Sequence, residues 1–89
     1  MKIHELLNRP ERWTQEVMAR DINGETSRLR GNEAVSWCLL GAMFKCYPNE
    51  NERLEVGVKI KRRIDDNIVD FNDNGTYKQV YNLVKELDV

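Results

Sequence analysis

Apolar residues recur along much of the chain at the spacing of amphipathic helices. The clearest pattern is the last one, in which apolar residues follow one another at intervals of three or four: Tyr77, Val80, Val84 and Leu87. Thr76 precedes them and is a suitable N-cap for the helix that they predict. At the other end, residues 2–8 predict a short first helix, and Pro10 interrupts the chain after it.

The most apolar segment predicts a central, buried helix over residues 33–47. Asn32 is a good N-cap for this helix, and Pro48 ends it. Apolar side chains appear on nearly every side of the segment, as in a helix that is surrounded by other elements. The small Gly41 would let a neighbouring element approach closely, and Trp37 is predicted to be a core residue.

Two other segments fit both a helix and a strand. Residues 13–21 alternate between apolar and polar positions, yet their apolar residues also share one helical face. Residues 51–66 show the same ambiguity, but their length without a turn signal favours a helix. The dipeptide Asn23-Gly24 is a turn signal that suits either a hairpin or a helix stop. Residues 67–75 predict a short extended or irregular connection.

These elements predict one domain over residues 1–89 and a mainly α fold. Three to four helices would pack around the central helix at residues 33–47. A small β-hairpin near residues 13–27 remains open as an alternative and would make the fold α+β. A chain of 89 residues has room for one modest core.

Composition and charge exclude several classes of protein. The sequence is 40% hydrophobic and 33% charged, which is ordinary for a globular domain. The formal net charge is −1, so no overall basic field would attract nucleic acid. The first residues lack the apolar run of a signal peptide, and no window approaches the length of a membrane span. We therefore expect a cytoplasmic protein that has no membrane partner.

The two cysteines do not predict a disulfide. Cys38 and Cys46 are eight residues apart on the predicted helix, so their Cα atoms would be about 12 Å from each other. A disulfide needs a separation of less than about 7 Å. His4 is the only histidine, so neither a Cys/His zinc site nor a Cys–His catalytic pair is indicated. Buried, reduced cysteines are expected.

The stretch from Asp70 to Tyr81 resembles the start of a calcium-binding loop. It places Asp, Asn, Asn and Gly where such a loop has its first ligands and its glycine. Tyr81, however, stands where a bidentate glutamate is required, and Lys78 would oppose the ion. Turn chemistry explains the same residues. No metal and no cofactor are expected, and an enzyme is disfavoured because no catalytic constellation is present.

A basic run, KIKRR at residues 59–63, raises the alternative of nucleic-acid binding. The side chains that would carry it are Lys59, Arg62, Arg63, Arg28 and Arg30. Two glutamates fall on the same helical face, so that a solvated face of mixed charge accounts for the pattern. Nucleic acid is therefore not the expected partner.

Three blocks of sequence carry a family resemblance: ARDINGE (residues 19–25), AVSWCLLGAM (residues 34–43) and FND (residues 71–73). In this order, and before a final amphipathic helix, they resemble an uncharacterised family of short bacterial and phage proteins, a domain of unknown function. Members carry Trp…Ala-Arg-Asp-x-x-Gly, then Trp-Cys-x-x-Gly-Ala, then an aromatic residue with Asn-Asp. Phe71 departs from the tryptophan that is more usual there.

The resemblance implies which residues matter but implies no activity. They are Trp13, Arg20, Asp21, Trp37, Cys38, Asn72 and Asp73. Trp37 and Cys38 are expected in the core. The segment of Trp13 tends to look like a strand in such relatives, which favours the hairpin.

Three functions from different classes remain open. The leading hypothesis is a small protein-binding or self-associating adaptor of bacterial or phage origin, with a homodimer as one form. The first alternative is a nucleic-acid-binding accessory protein that uses the basic helix face. The second is a small-molecule site around Asp21 and Asp73, with Arg20 and Asn72 as further binding residues.

Overall fold

Five helices and one two-stranded antiparallel sheet make up the fold. The computed structural model describes all residues, 1–89. In chain order the elements are α1 (Ile3–Leu6), β1 (Ala19–Arg20), β2 (Ser36–Trp37), α2 (Leu39–Cys46), α3 (Glu50–Ile64), α4 (Ile68–Asn74) and α5 (Tyr77–Leu87), with a 3-10 helix at Pro10–Arg12. The predicted fold class, mainly α with a small β-hairpin, is confirmed. The α-helices number five rather than three to four.

The central helix is shorter than the predicted helix over residues 33–47. α2 begins at Leu39, because the residues just before it form strand β2. Cys38, and not Asn32, is the N-cap, and its Sγ accepts a hydrogen bond from the backbone N–H of Gly41 at 3.2 Å. The helix is nevertheless central, since it packs against α1, α3 and α4.

The small sheet joins two parts of the chain that are distant in sequence. β1 and β2 are antiparallel, and Ala19 lies opposite Trp37. Arg20 also bridges to Thr26 across a tight turn, in which Gly24 has a φ of 81°. Glycine adopts this left-handed conformation without steric cost. The Asn-Gly signal is therefore a hairpin turn and not a helix stop.

The ambiguous segments have different outcomes. Residues 13–21 contain strand β1 and no α-helix, so the strand interpretation is the right one there. Residues 51–66 lie almost entirely in α3, so the helix favoured by length is confirmed. Val56 and Ile60, four residues apart, are the buried residues of α3.

The prediction of an extended connection over residues 67–75 is wrong, because these residues contain α4. Asn67 caps this helix, and its Oδ1 accepts from the backbone N–H of Asp70 at 2.8 Å. Asn and Asp satisfy the free N–H groups of a helix start as readily as those of a turn. The same side-chain chemistry therefore begins a helix here. Since residues 70–74 are helical, they do not form a calcium loop.

The last helix agrees with its sequence pattern. Thr76 is the N-cap of α5, and its hydroxyl accepts from the backbone N–H of Gln79 at 3.2 Å. The Gln79 side chain accepts in turn from the Thr76 backbone N–H at 2.9 Å. This reciprocal pair satisfies two backbone donors at the helix start.

One apolar cluster fills the interior, and every α-helix contributes to it. Its buried members are Ile3, Leu6, Leu7, Ala19, Trp37, Leu39, Ala42, Met43, Val56, Ile60, Ile68, Val80, Leu83, Val84 and Val89. Trp37 is 4% exposed, and Cys38 is also buried, so both are core residues as predicted. No helix combines the length and apolar character that crossing a membrane would require.

Candidate functional site

Asn72 lies at the centre of a hydrogen-bond network that joins α4 to the loop at residues 13–16. Its Oδ1 accepts from Trp13 Nε1 at 2.6 Å and from the backbone N–H of Leu39 at 3.0 Å. Its Nδ2 donates to the carbonyl oxygen of Thr14 at 3.1 Å. The residue is only 1% exposed, so these bonds are shielded from water. The amide therefore ties three separate parts of the chain together.

Asp73 continues this network towards the surface. Its Oδ1 accepts from Asn72 Nδ2 at 3.0 Å and from the backbone N–H of Glu16 at 2.9 Å. Glu16 has a φ of 73°, which is uncommon for a residue with a side chain. Gln15 adds three contacts, because its Nε2 lies 3.1 Å from each of the carbonyl oxygens of Asn72, Asp73 and Gly75.

Arg20 holds the same loop, residues 13–16, from another side. Its Nε donates to Thr14 Oγ1 at 2.8 Å, and its Nη2 donates to the carbonyl oxygen of Gln15 at 3.2 Å. Its Nη1 reaches the carbonyl oxygen of Gly24 in the hairpin turn at 2.9 Å. The guanidinium is thus engaged with the protein itself through all three nitrogens.

Asp21 shapes the hairpin turn and lies apart from Asp73. Its Oδ1 accepts from the backbone N–H groups of Asn23 at 2.9 Å and Glu25 at 3.0 Å. Asp21 lines a polar cavity of about 620 Å³ around the turn. Asp73 lines a different cavity, of about 140 Å³, beside Cys38. The four predicted binding residues do not share a cavity, although three of them, Arg20, Asn72 and Asp73, contact the loop at residues 13–16.

The basic residues do not form one group either. Arg63 Nη2 donates to Glu86 Oε2 at 2.7 Å, which raises the pKa of Arg63 and lowers the pKa of Glu86. Arg30 Nη2 donates to the carbonyl oxygen of Phe44 at 2.8 Å, and Arg28 lines the polar cavity at the turn. The other two are exposed on α3: Lys59 and Arg62.

Neither cysteine is activated as a nucleophile. Burial raises the pKa of Cys38, and it raises the pKa of Cys46 to about 11, from 9.0. Both thiols are free and stay protonated at neutral pH, where a thiolate would be needed for attack or for metal binding. Three or more His, Cys, Asp or Glu side chains do not come together anywhere as a potential metal site.

An apolar groove lies between α2, α3 and α4, with a volume of about 610 Å³. Three large apolar residues beside it are well exposed: Leu54 by 59%, Val58 by 47% and Val69 by 45%. The remaining large apolar residues of its lining are less exposed: Leu40, Met43, Phe44 and Ile68. Charged residues stand at its edge: Glu50, Arg53 and Lys61. This apolar surface, which we call the α3 groove, is the candidate functional site.

Comparisons with family models, with curated proteins and with solved structures find no match to this chain. The family resemblance of its three sequence blocks therefore stays a prediction.

Sequence reasoning missed the α3 groove because it followed only the buried stripe of α3. Val56 and Ile60 lie on that stripe, whereas Leu54 and Val58 are each two residues away from Val56. Two residues correspond to about 200° around a helix, so this second pair lies off the buried stripe, on the side of α3 that lines the groove. Two apolar residues spaced i, i+4 outside the buried stripe were the signal that could have revealed it.

Proposed function

We propose that this chain is a small protein-interaction domain and that the α3 groove is its binding surface. The observation that carries the proposal is the exposure of Leu54, Val58 and Val69 around one groove, by 59%, 47% and 45%. Single exposed apolar residues are normal on protein surfaces, but a contiguous patch commonly marks a binding site. A partner that covers such a patch removes apolar area from water, and each Å² removed stabilises the complex by about 25 cal/mol.

The surroundings of the groove support the same function. Protein interfaces usually have an apolar centre and a polar rim. Here the guanidinium of Arg53 stacks over the ring of Phe44 at 4.1 Å from its centroid, and it also donates to the carbonyl oxygens of Tyr47 and Pro48 at 3.2 Å. These contacts hold one edge of the groove in place before any partner binds. A preformed surface loses little conformational entropy on binding.

The test replaces the exposed pair on α3 with a charged pair. In the double variant Leu54→Asp/Val58→Asp, we expect association to be lost because two carboxylates would have to be desolvated in the interface. Association is measured first as mass in sedimentation velocity between about 10 µM and about 1 mM. A partner is next identified by cross-linking at the groove and purified. Its binding to the immobilised chain is then measured.

The matched control is Ile22→Asp, which makes the same change at a residue that is 85% exposed in the hairpin turn. We expect this variant to associate as the wild type does. Thermal melts of all variants check that the fold is kept. A wild-type chain that stays monomeric and whose binding to every purified partner is unaffected by Leu54→Asp/Val58→Asp would overturn the proposal.

A further inference from the structure

The exposed side chains of α3 carry opposite charges at the two ends of the helix. Its first half exposes acidic side chains: Glu50, Glu52 and Glu55. Its second half exposes basic side chains: Lys59, Lys61, Arg62 and Arg63. The exposed Leu54 and Val58 lie between the two charged ends. A helix of this kind is complementary to a second copy of itself that runs in the opposite direction.

Glu50, Leu54 and Lys61 lie on one face of α3, and all three line the α3 groove. The separation of eleven residues between Glu50 and Lys61 is about three helical turns, so the two charges point the same way about 16 Å apart. Leu54 and Val58 lie near the midpoint between them. An antiparallel copy therefore brings Glu50 of each chain to Lys61 of the other, while Leu54 meets Gly57 and Val58.

We propose that the occupant of the α3 groove is a second copy of this chain, paired through antiparallel α3 helices about a two-fold axis. This proposal rests on the function proposed above and names the partner. The symmetry makes each Glu50–Lys61 contact occur twice. A parallel pairing would instead set Glu50 against Glu50 and Lys61 against Lys61, and like charges across an interface repel.

The shape of α3 also suits close pairing. Gly57, between the exposed apolar residues, has no side chain and is only partly buried. Its position lets the second helix approach closely, and Leu54 of the second copy can pack there. A standard interface takes about 800 Å² from each partner. The helix alone is about 22 Å long, which is too short to supply this area. Val69 and the α2 edge of the groove therefore belong to the same interface.

The test is a charge exchange at Glu50 and Lys61. In Glu50→Lys, both cross-contacts become Lys–Lys, and in Lys61→Glu both become Glu–Glu. We expect each single variant to weaken the dimer about tenfold in Kd, measured by sedimentation equilibrium. The double variant Glu50→Lys/Lys61→Glu restores both attractions and recovers wild-type association. Its net charge equals that of the wild type.

Mixing the two single variants provides a second readout. The Glu50→Lys chain carries lysine at both positions, and the Lys61→Glu chain carries glutamate at both. Each variant is therefore repelled by its own copy, but the two variants attract each other at both contacts. With one of the two variants uniformly labelled with ¹⁵N, we expect the mixture to form heterodimers, which native mass spectrometry then distinguishes from both homodimers by mass.

Matched controls carry the same charge changes away from α3: Glu25→Lys and Lys78→Glu. These controls should dimerise as the wild type does, because neither position lies on the α3 groove.

Two results would overturn this inference in different ways. If the wild type dimerises but the charge variants dimerise equally well, another surface pairs the chains, and self-association still stands. If the wild type stays monomeric at about 1 mM while a purified partner still requires Leu54 and Val58, the second copy is not the occupant. In that case the interaction domain itself is retained.

Discussion

Gly41, in the first turn of α2, lies directly against the backbone of Met18. A Cβ atom on Gly41 would overlap the carbonyl oxygen of Met18 and lie 2.9 Å from its carbonyl carbon. That carbonyl oxygen also accepts from the backbone N–H of Cys38 at 3.2 Å. The neighbour is therefore backbone held by a hydrogen bond, which cannot rotate away as the end of a side chain can.

We expect Gly41→Ala to lower the free energy of unfolding by about 3 kcal/mol, because α2 and the Met18 segment would have to move apart. Urea denaturation measures this loss. Gly57→Ala is the control, since a Cβ there meets only Met43 Cε at an ordinary 3.5 Å. In dilute protein, the free energy of unfolding of this control should rise by about 0.5–1 kcal/mol, because alanine has a higher helix propensity than glycine. Equal stability of Gly41→Ala and wild type would contradict the close contact.

Asn72→Ala should destabilise the chain by about 2–4 kcal/mol, because it leaves buried polar groups without partners. These groups are the indole N–H of Trp13, the backbone N–H of Leu39 and the carbonyl of Thr14. The comparison is Asp73→Ala, which removes a carboxylate that bonds at the exposed end of the network. We expect the second loss to be clearly smaller. A ranking in the opposite order, by chemical denaturation, would show that Asn72 is not the centre of the network.

Trp37→Ala should cost about 3–5 kcal/mol, as is usual for deleting a buried aromatic side chain. The indole is 4% exposed, and its Nε1 donates to the carbonyl oxygen of Leu29 at 2.9 Å. Arg12 and Lys45 lie 5.7 Å and 5.9 Å from the centroid of its ring. Trp37→Phe keeps most of the apolar volume and loses only the hydrogen bond. Its loss of stability should therefore be smaller than that of Trp37→Ala. If thermal melts gave Trp37→Ala the same melting temperature as the wild type, Trp37 would not be a core residue.

Stability should decline at alkaline pH, in part through Cys46. Burial raises the pKa of this thiol from 9.0 to about 11 in the folded chain. The folded chain therefore keeps the proton at a pH where the unfolded chain has lost it. The resulting stability is complete below pH 9 and is lost as the pH rises towards 11.

Cys46→Ala should make this decline shallower, as measured by urea midpoints at neutral pH and between pH 9 and 11. Some decline should persist, because burial also raises the pKa values of Cys38, Tyr47 and Tyr77. The neutral-pH midpoint reports the packing cost of the substitution separately. Identical slopes for the variant and the wild type would show that Cys46 does not contribute to the pH dependence.

Helices whose information is local were predictable from the sequence alone. α5 has an apolar stripe and its own capping box at Thr76 and Gln79, and both lie within one short segment. α3 was also predictable, because its length without a turn signal outweighs the strand-like alternation at residues 54–60. In each case neighbouring residues satisfy the backbone hydrogen bonds, so the local pattern suffices.

Tertiary contacts determined the elements that the sequence misassigned. Ser36 and Trp37 suit a helix locally, but they pair with β1, which lies about seventeen residues earlier in the chain. This strand pairing displaces the start of α2 to Leu39. The helix α4 was missed because its Asn and Asp residues serve turns and helix caps equally well. Only the packing of α4 against α2 and α3 distinguishes the two outcomes.

The same division holds for the candidate site. The sequence alone determined the mainly α fold and the turn at Gly24, since local patterning and backbone freedom require no distant partner. It did not determine that Asn72 would be enclosed by Trp13 and Leu39, nor that Leu54 and Val58 would stay exposed. Whether an apolar or polar side chain is covered depends on the elements that pack over it, and those arrive from other parts of the chain.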